Sequence, residues 1–134
     1  MNCHYFLLLL YFFSIIDYTL YMTSNDCIFC KVVKKEIPAK IVFENEDFIA
    51  FNDIKPVSPI HILVIPKKHY KNLLEVDDVN ILGNLMSTVQ EVAKTNNLAD
   101  GFRTAINTGD NGGQTVHHLH VHILGGRFHK WPPG

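Results

Sequence analysis

Apolar residues recur every three or four positions in two segments, and this spacing predicts two helices. The longer is DDVNILGNLMSTVQEVAKTNNL, residues 77–98, with apolar positions at Val79, Leu82, Leu85, Met86, Val89 and Val92. Asp77 or Asp78 can act as its N-cap, and Asn96 and Asn97 end it. The shorter is CIFCKVVKKEI, residues 27–37, which Pro38 ends.

Five further segments are rich in β-branched and aromatic residues and predict strands. They are residues 41–47, 48–54, 61–66, 102–108 and 118–124. Most of these strands follow one another along the chain, which favours an antiparallel sheet with the helices on one face. The predicted fold class is therefore α+β, with about five antiparallel strands, one long helix and one short helix.

The first 25 residues differ from the remainder and form a hydrophobic extension ahead of one domain, residues 26–134. FLLLLYFFSII, residues 6–16, has the length of a signal-peptide core, but no Lys or Arg precedes it and no small-residue cleavage site follows. This favours Met22 as the true start, with residues 1–21 a gene-model artefact. A genuine signal peptide or membrane anchor is the alternative, and otherwise no membrane association is expected.

The charge balance excludes a broad electrostatic surface for nucleic acid. Twelve basic and thirteen acidic residues leave a formal net charge of −1, so any bound phosphate must be held at a local site. The three cysteines, Cys3, Cys27 and Cys30, are an odd number with one close pair. This pattern fits a reducing compartment or a metal better than a disulfide framework.

The segment QTVHHLHVHILGG, residues 114–126, holds the candidate chemistry. In a strand, His118, His120 and His122 would point to one face while the apolar residues between them enter the core. Neighbours on such a face lie roughly 7 Å apart, too far for all three to bind one metal unaided. One imidazole can instead react while its neighbours bind the same anion. The row predicts a phosphate reaction site.

The polar turn GDNGGQT, residues 109–115, precedes this row. Its glycines would allow backbone amides to approach an anion closely, as in an anion-binding nest. Together with the histidine row, the turn is interpreted as a second part of the phosphate site.

These motifs resemble the histidine-triad (HIT) superfamily, whose pattern alternates histidine and apolar residues as in HHLHVHILGG. GGR at 125–127, WPPG at 131–134 and FNDIKPVSPIHILVIPKKH at 51–69 resemble the histidine-triad nucleotide-binding branch, once described as protein kinase C interacting proteins. The resemblance covers about residues 26–134. It implies a HIT fold, a homodimer, and a location in the cytoplasm, with the nucleus as a second compartment.

The resemblance also implies catalytic roles. His120 would attack the α-phosphorus and form a covalent nucleotidyl-histidine that water hydrolyses, and His122 would bind the α-phosphate. His118 would orient the nucleophile through its backbone carbonyl, with His61 behind the triad. Thr115 would donate to the leaving amine or to a phosphate oxygen. No cofactor is required for this reaction.

A nucleotide site follows from the same resemblance. Asp53 would hold the ribose hydroxyls, and the purine would lie between Ile28, Phe29, Phe51 and Ile54. Trp131 would complete the site of the partner subunit. The further polar contacts would be Asn107, Gly113 and Gln114. The implied activity is hydrolysis of adenosine 5′-phosphoramidates, including AMP-lysine and aminoacyl-adenylate-like compounds, to AMP.

Two positions depart from the family pattern, and two other functions stay open. Asn52 stands where animal members commonly have His, and His117 stands where an aromatic residue is usual. One alternative is a purine-nucleotide-binding or signalling-interaction protein without turnover. The other is a dinucleoside polyphosphate hydrolase, which the WPPG tail and GGR disfavour.

The Cys27-x-x-Cys30 pair raises the question of zinc. In many microbial family members this pair binds zinc with two histidines, which by position would be His69 and His118. Such a site would be closed and structural. A reduced pair without metal is the alternative, and a disulfide is less favoured.

Overall fold

The computed structural model describes residues 26–134, so the predictions for the first 25 residues lie outside the described part. Residues 26–134 contain two α-helices, α1 at Ile28–Val33 and α2 at Val79–Thr95, and a 3-10 turn spans Leu73–Glu75. The strands are β1 (Ile41–Glu44), β2 (Phe48–Asn52), β3 (Ile60–Pro66), β4 (Arg103–Ala105) and β5 (Val121–Gly125). Within residues 26–134, no helix is long and apolar enough to cross a membrane.

The five strands form one antiparallel sheet in the order β1-β2-β3-β5-β4. Strand β5 therefore lies between β3, the central strand, and β4, an edge strand. His122 of β5 lies opposite Leu63 of β3 and Ala105 of β4. The predicted α+β class, strand number and pair of helices are confirmed.

The prediction that both helices lie on one face of the sheet is wrong. Leu85, Val89 and Val92 of α2 pack in one core cluster with alternate sheet residues such as Val64 and Val121. The second cluster joins α1 to the other alternate sheet residues: Phe29, Val32, Ile49, Phe51, Leu63 and Ile65. Strands β2 and β3 are nearly continuous in apolar residues because both of their faces are covered.

Strand β5 begins three residues later than the sequence pattern predicts. His118, Leu119 and His120 precede it, and the Leu119 amide donates to the Tyr70 carbonyl at 2.7 Å rather than to a strand partner. The alternation nevertheless holds, because Leu119, Val121 and Ile123 are buried in the cluster beneath α2. The three histidines of the row point away from that cluster.

Gly83→Ala is expected to stabilise the protein by about 0.8–1 kcal/mol, because glycine is a poor helix former. Gly83 lies within α2, and an added Cβ would meet no atom within 4 Å. Gly125→Ala is the matched comparison, since its Cβ would lie 2.5 Å from Leu98 Cδ2 in the core and should destabilise. Urea denaturation measures both changes, and equal effects in the two variants would contradict this packing.

Candidate active site

A cavity of about 600 Å³ opens on the face of the sheet that carries α1. This volume lies in the range of small-molecule sites. Ten of the predicted site residues line it: Ile28, Phe29, Phe51, Asp53, Ile54, His61, Asn107, Thr115, His120 and His122. The other walls are largely apolar and include Ile37, Pro38 and Ala39 from the segment between α1 and β1.

His120 is held in one tautomer by the backbone. Its Nδ1 lies 2.7 Å from the His118 carbonyl oxygen, and because a carbonyl only accepts, Nδ1 carries the proton. In the neutral ring, Nε2 then has the free lone pair. Burial lowers the pKa of His120, which favours this neutral form. His120 therefore offers an unprotonated nitrogen at neutral pH.

His61 and His122 are hydrogen-bonded in series, and a backbone hydrogen bond to His61 determines the proton positions on both rings. The Val57 amide donates to His61 Nδ1 at 3.1 Å, so the proton of neutral His61 is on Nε2. That Nε2–H donates to His122 Nδ1 at 2.9 Å. His122 Nδ1 is thus an acceptor, and the proton of neutral His122 is on Nε2.

His122 Nε2 is buried and has no hydrogen-bond partner among residues 26–134. A buried donor without an acceptor is costly, and its presence in a cavity wall points to a ligand. The His122 and His120 rings lie 4.9 Å apart, centre to centre. The site therefore places a nitrogen lone pair and an unsatisfied N–H donor side by side.

Burial keeps these rings uncharged. Burial, together with the neighbouring His120 and His61, lowers the pKa of His122 to about 4, against a weaker opposite effect of Asp53. The pKa of His61 is also lowered, mainly by burial. An anion in the cavity would therefore meet the neutral Nε2–H of His122 rather than an imidazolium charge.

The free energy of unfolding should fall as the pH is lowered from about 6.5 to 4. In the folded protein the pKa values of His118 and His122 are about 4, whereas unfolded histidine titrates near 6.5. Across this window the unfolded chain binds protons that the folded chain does not, so acid favours unfolding. The stabilisation is complete above the unfolded pKa.

Urea denaturation at pH 7.5, 6 and 5 measures this decline. His122→Asn removes one of the two groups whose pKa is lowered to about 4, and it should reduce the pH dependence. Equal slopes for the wild type and His122→Asn would show that the His122 ring is not responsible.

Asp53 lies at the mouth of the cavity beside an aromatic wall. Its Oδ1 accepts from the Lys55 amide at 2.8 Å, and its Oδ2 lies 3.4 Å from His61 Nε2. Farther in, the Phe29 ring stands edge-on to Phe51 and His120, with centroids 5.5 and 5.2 Å away. The cavity thus joins an apolar slot to a carboxylate at its rim.

Cys27, Cys30, His69 and His118 form a second cluster, with all four donor atoms within 4.8 Å of one another. His118 Nε2–H donates to the Pro66 carbonyl at 2.8 Å, so its Nδ1 lone pair faces the two sulfurs at 3.4 and 3.5 Å. His69 Nδ1 lies 3.3 Å from Cys30 Sγ.

This donor set fits tetrahedral zinc. Zinc with two sulfur and two nitrogen ligands holds neighbouring sulfur and nitrogen atoms about 3.5 Å apart. The carbonyl partner of His118 Nε2 is the outer contact expected of a ligating histidine. Neither cysteine is in a disulfide within the described part, and burial raises the pKa of Cys30 to about 11. Without a cation the Cys30 thiol would therefore stay protonated.

Asp53, His61 and His122 are also close enough to share a metal. The tautomer of His61 argues against this, because the Val57 amide already occupies its Nδ1 lone pair. Metal binding at Nε2 would require either an imidazolate or the loss of that hydrogen bond. This group is better described as a hydrogen-bonded relay.

Three predicted nucleotide contacts lie outside the cavity wall: Gly113, Gln114 and Trp131. Gly113 is exposed, and Trp131 is 83% exposed in the C-terminal tail. The Gln114 carboxamide is turned inward, where it accepts from the Gly109 amide and donates to the carbonyls of Lys71 and Val116. None of the three contacts the cavity of this chain.

Two of the three glycine amides in the predicted anion nest, residues 109–115, are already hydrogen-bonded. The Gly109 amide donates to the Gln114 side chain, the Gly113 amide to the Asp110 carbonyl, and the Gln114 amide to the Gly109 carbonyl. These donors are used within the loop, which therefore cannot offer them to a phosphate. Of this turn, only Thr115 reaches the cavity.

The backbone group that the sequence analysis missed is the Val57 amide, which sets the tautomer of His61. The His118 carbonyl, which sets that of His120, was expected from the family resemblance. Main-chain groups occur at every residue, so no side-chain pattern distinguishes the Val57 amide. The part of the cavity wall at Ile37, Pro38 and Ala39 had only a weak signal in the sequence, which was the turn that ends α1.

The sequence and the fold of this chain are similar to those of known proteins. The HIT domain model matches residues 34–129. The chain is 48% identical to adenylylsulfatase HINT1 of Arabidopsis thaliana over 116 residues, covering 84% of this chain and 79% of that protein. It is 48% identical to a 14 kDa zinc-binding protein of Zea mays over 117 residues, covering 84% and 91%.

A crystal structure of a HIT family hydrolase from Legionella pneumophila superposes with a TM-score of 0.79 at 43% identity, covering 81% of this chain and all of that one. The chain belongs to the HIT family, in the HINT1-like branch. It is, at that level, a nucleotide hydrolase or nucleotide-binding protein.

Proposed function

We propose that the protein hydrolyses the P–N bond of adenosine 5′-phosphoramidates to give AMP. The observation that carries this proposal is the pairing of His120 Nε2, a free lone pair, with His122 Nε2–H, a buried donor without a partner. A phosphoryl group between them would meet a nucleophile and an oxyanion donor together. The hydrolase and adenylylsulfatase names of relatives agree with chemistry at an adenylyl phosphorus.

In the first step, His120 Nε2 attacks the α-phosphorus and the P–N bond breaks. The nitrogen leaves with the bonding pair and takes up a proton to become the free amine. The histidine ring is then substituted at Nε2 and cationic, and its Nδ1–H bond to the His118 carbonyl stabilises that charge. His122 Nε2–H binds a non-bridging oxygen as charge builds on it.

In the second step, water attacks phosphorus and AMP is released. The water gives up one proton to solvent, which balances the proton that the amine took up in the first step. The P–N bond to His120 breaks and its Nε2 recovers the lone pair. The purine would occupy the apolar slot between Ile28, Phe29 and Phe51, and Asp53 at the rim would accept hydrogen bonds from the ribose hydroxyls. Asn107 and Thr115 lie in the remaining wall, where the leaving amine would stand.

We propose a structural zinc at Cys27, Cys30, His69 and His118. The 14 kDa zinc-binding relative carries such an ion by its name, and the donor spacing of this chain suits one. Bound zinc would cross-link α1 to the segment before β5. His120 needs no metal to act as a nucleophile.

A homodimer belongs to the same proposal. Phe128 and Trp131 are each 83% exposed, and Arg103 holds the tail by donating to the Lys130 carbonyl at 2.7 Å. A partner subunit would cover these aromatic side chains and receive Trp131 beside its own cavity. Sedimentation of the wild type and Trp131→Ala would test whether two chains associate.

Steady-state kinetics with two substrates tests the activity. The full chain should convert adenosine 5′-phosphoramidate to AMP with a kcat/KM at least about tenfold above that for diadenosine tetraphosphate, a difference of about 1.4 kcal/mol in transition-state stabilisation. The reverse order would favour the dinucleoside polyphosphate hydrolase. Binding of AMP with no turnover of either substrate would favour a nucleotide-binding protein.

A further inference from the structure

The Gln114 side chain lies near the cavity without lining it, yet it is extensively hydrogen-bonded. Gln114 is only 6% exposed. Its amide nitrogen donates to the Lys71 carbonyl at 2.7 Å and to the Val116 carbonyl at 3.0 Å, and its Oε1 accepts from the Gly109 amide at 3.0 Å. Both amide protons and one oxygen lone pair are therefore satisfied by backbone groups.

These bonds fix the backbone on both sides of Thr115. The residue before it is Gln114 itself, whose amide donates to the Gly109 carbonyl at 3.1 Å. The residue after it, Val116, is fixed through its carbonyl by the same carboxamide. Thr115 is therefore held from both sides, although it is exposed and lines the cavity.

The Gln114 bonds also connect this turn to the other walls of the site. Lys71 follows the segment of His69 and Tyr70, and the Tyr70 carbonyl binds the Leu119 amide between His118 and His120. Within the loop of residues 109–115, Gly109 and Gln114 take part in this hydrogen bonding. One carboxamide thus joins three backbone segments at the point where Thr115 enters the cavity.

We infer that Gln114 is a positioning residue that directs the Thr115 hydroxyl to the leaving atom of the substrate. This inference rests on the proposed function. A P–N bond breaks only if the nitrogen gains a proton, so a hydroxyl donating to that nitrogen would lower the barrier. A misplacement of about 1 Å can cost on the order of a hundredfold in rate.

Two substrates with different leaving groups distinguish a positioning role of Gln114 from general structural damage. Adenosine 5′-phosphoramidate loses an amine that needs hydrogen bonding, whereas the p-nitrophenyl ester of AMP loses a phenolate stable without it. Gln114→Met keeps the side-chain volume and removes the hydrogen bonds. Its kcat/KM should fall about 10- to 100-fold for the phosphoramidate but less than about threefold for the ester.

Thr115 variants test whether Gln114 acts through that hydroxyl. Thr115→Val should show the same selective loss, and Thr115→Ser, which keeps the hydroxyl, should retain most phosphoramidate turnover. Adding Gln114→Met to Thr115→Val should cost little more than either change alone. Losses that multiply in the double variant would overturn the inference.

Asn96→Ala is the control for a simple loss of stability. Asn96 donates to the Val92 carbonyl at the end of α2, away from the cavity, so its removal should leave the ratio of the two substrates unchanged. Equal loss on both substrates in Gln114→Met would show that Gln114 has a structural role only. A wild type that turns over neither substrate would overturn the proposed function as well.

Discussion

Replacing His120 with alanine is expected to lower turnover of adenosine 5′-phosphoramidate by about 10⁴-fold or more. The change removes the nitrogen lone pair beside the free His122 N–H, and water would have to attack phosphorus directly. Affinity for AMP should change much less, because the apolar slot and Asp53 remain. Rates of AMP release and calorimetric binding of AMP measure the two effects.

His117→Ala is the matched control for this experiment. His117 lies next to the same segment, but its side chain is exposed and does not line the cavity. Its removal should leave turnover within about twofold of the wild type, as expected for a surface change. An active His120→Ala enzyme would contradict the nucleophile assignment.

The second large effect is expected from the double change Cys27→Ser and Cys30→Ser. Removal of both sulfur ligands should abolish zinc binding, and the melting temperature should fall by about 10 °C or more, because metal binding contributes directly to folding. Turnover should fall less than in His120→Ala, through displacement of His118 and of its carbonyl, which holds His120. Elemental analysis and calorimetry measure the first two effects.

A chelator supplies the control for this prediction. Wild type stripped of metal should melt near the temperature of the double variant, and readdition of zinc should restore the wild type but not the variant. A wild type that carries no metal after growth with zinc, and that melts with the double variant, would contradict the zinc proposal.

The sequence predicted the elements of this fold better than their arrangement. The period of three to four residues in 77–98 and the alternation in 118–124 both reflect burial, so they located α2 and the faces of the histidine row. The nearly continuous apolar run at 61–66 also indicated that both faces of the sheet are covered. The number of strands adjacent in sequence gave no such information, and it led to placing both helices on one face.

The candidate site was predictable where side chains define it and not where the backbone does. Ten of the proposed residues line one cavity because histidine, carboxylate and aromatic positions follow from strand alternation and the family motif. The glycine-rich loop has fewer free amides than its sequence indicates, because Gln114 Oε1 accepts from the Gly109 amide and the Asp110 carbonyl accepts from the Gly113 amide. The tautomers of His61 and His122 depend on the Val57 amide, which has no signature in the sequence.

The most direct test of the account is to look for an adenylyl group on His120. Full-length protein mixed with adenosine 5′-phosphoramidate, quenched at neutral to basic pH within the first turnover and digested, should yield one peptide spanning the triad with the mass of one added adenylyl group on His120. That adduct should be absent in His120→Ala. Turnover with no adduct in the first turnover, or an adduct on another residue, would contradict covalent catalysis by His120.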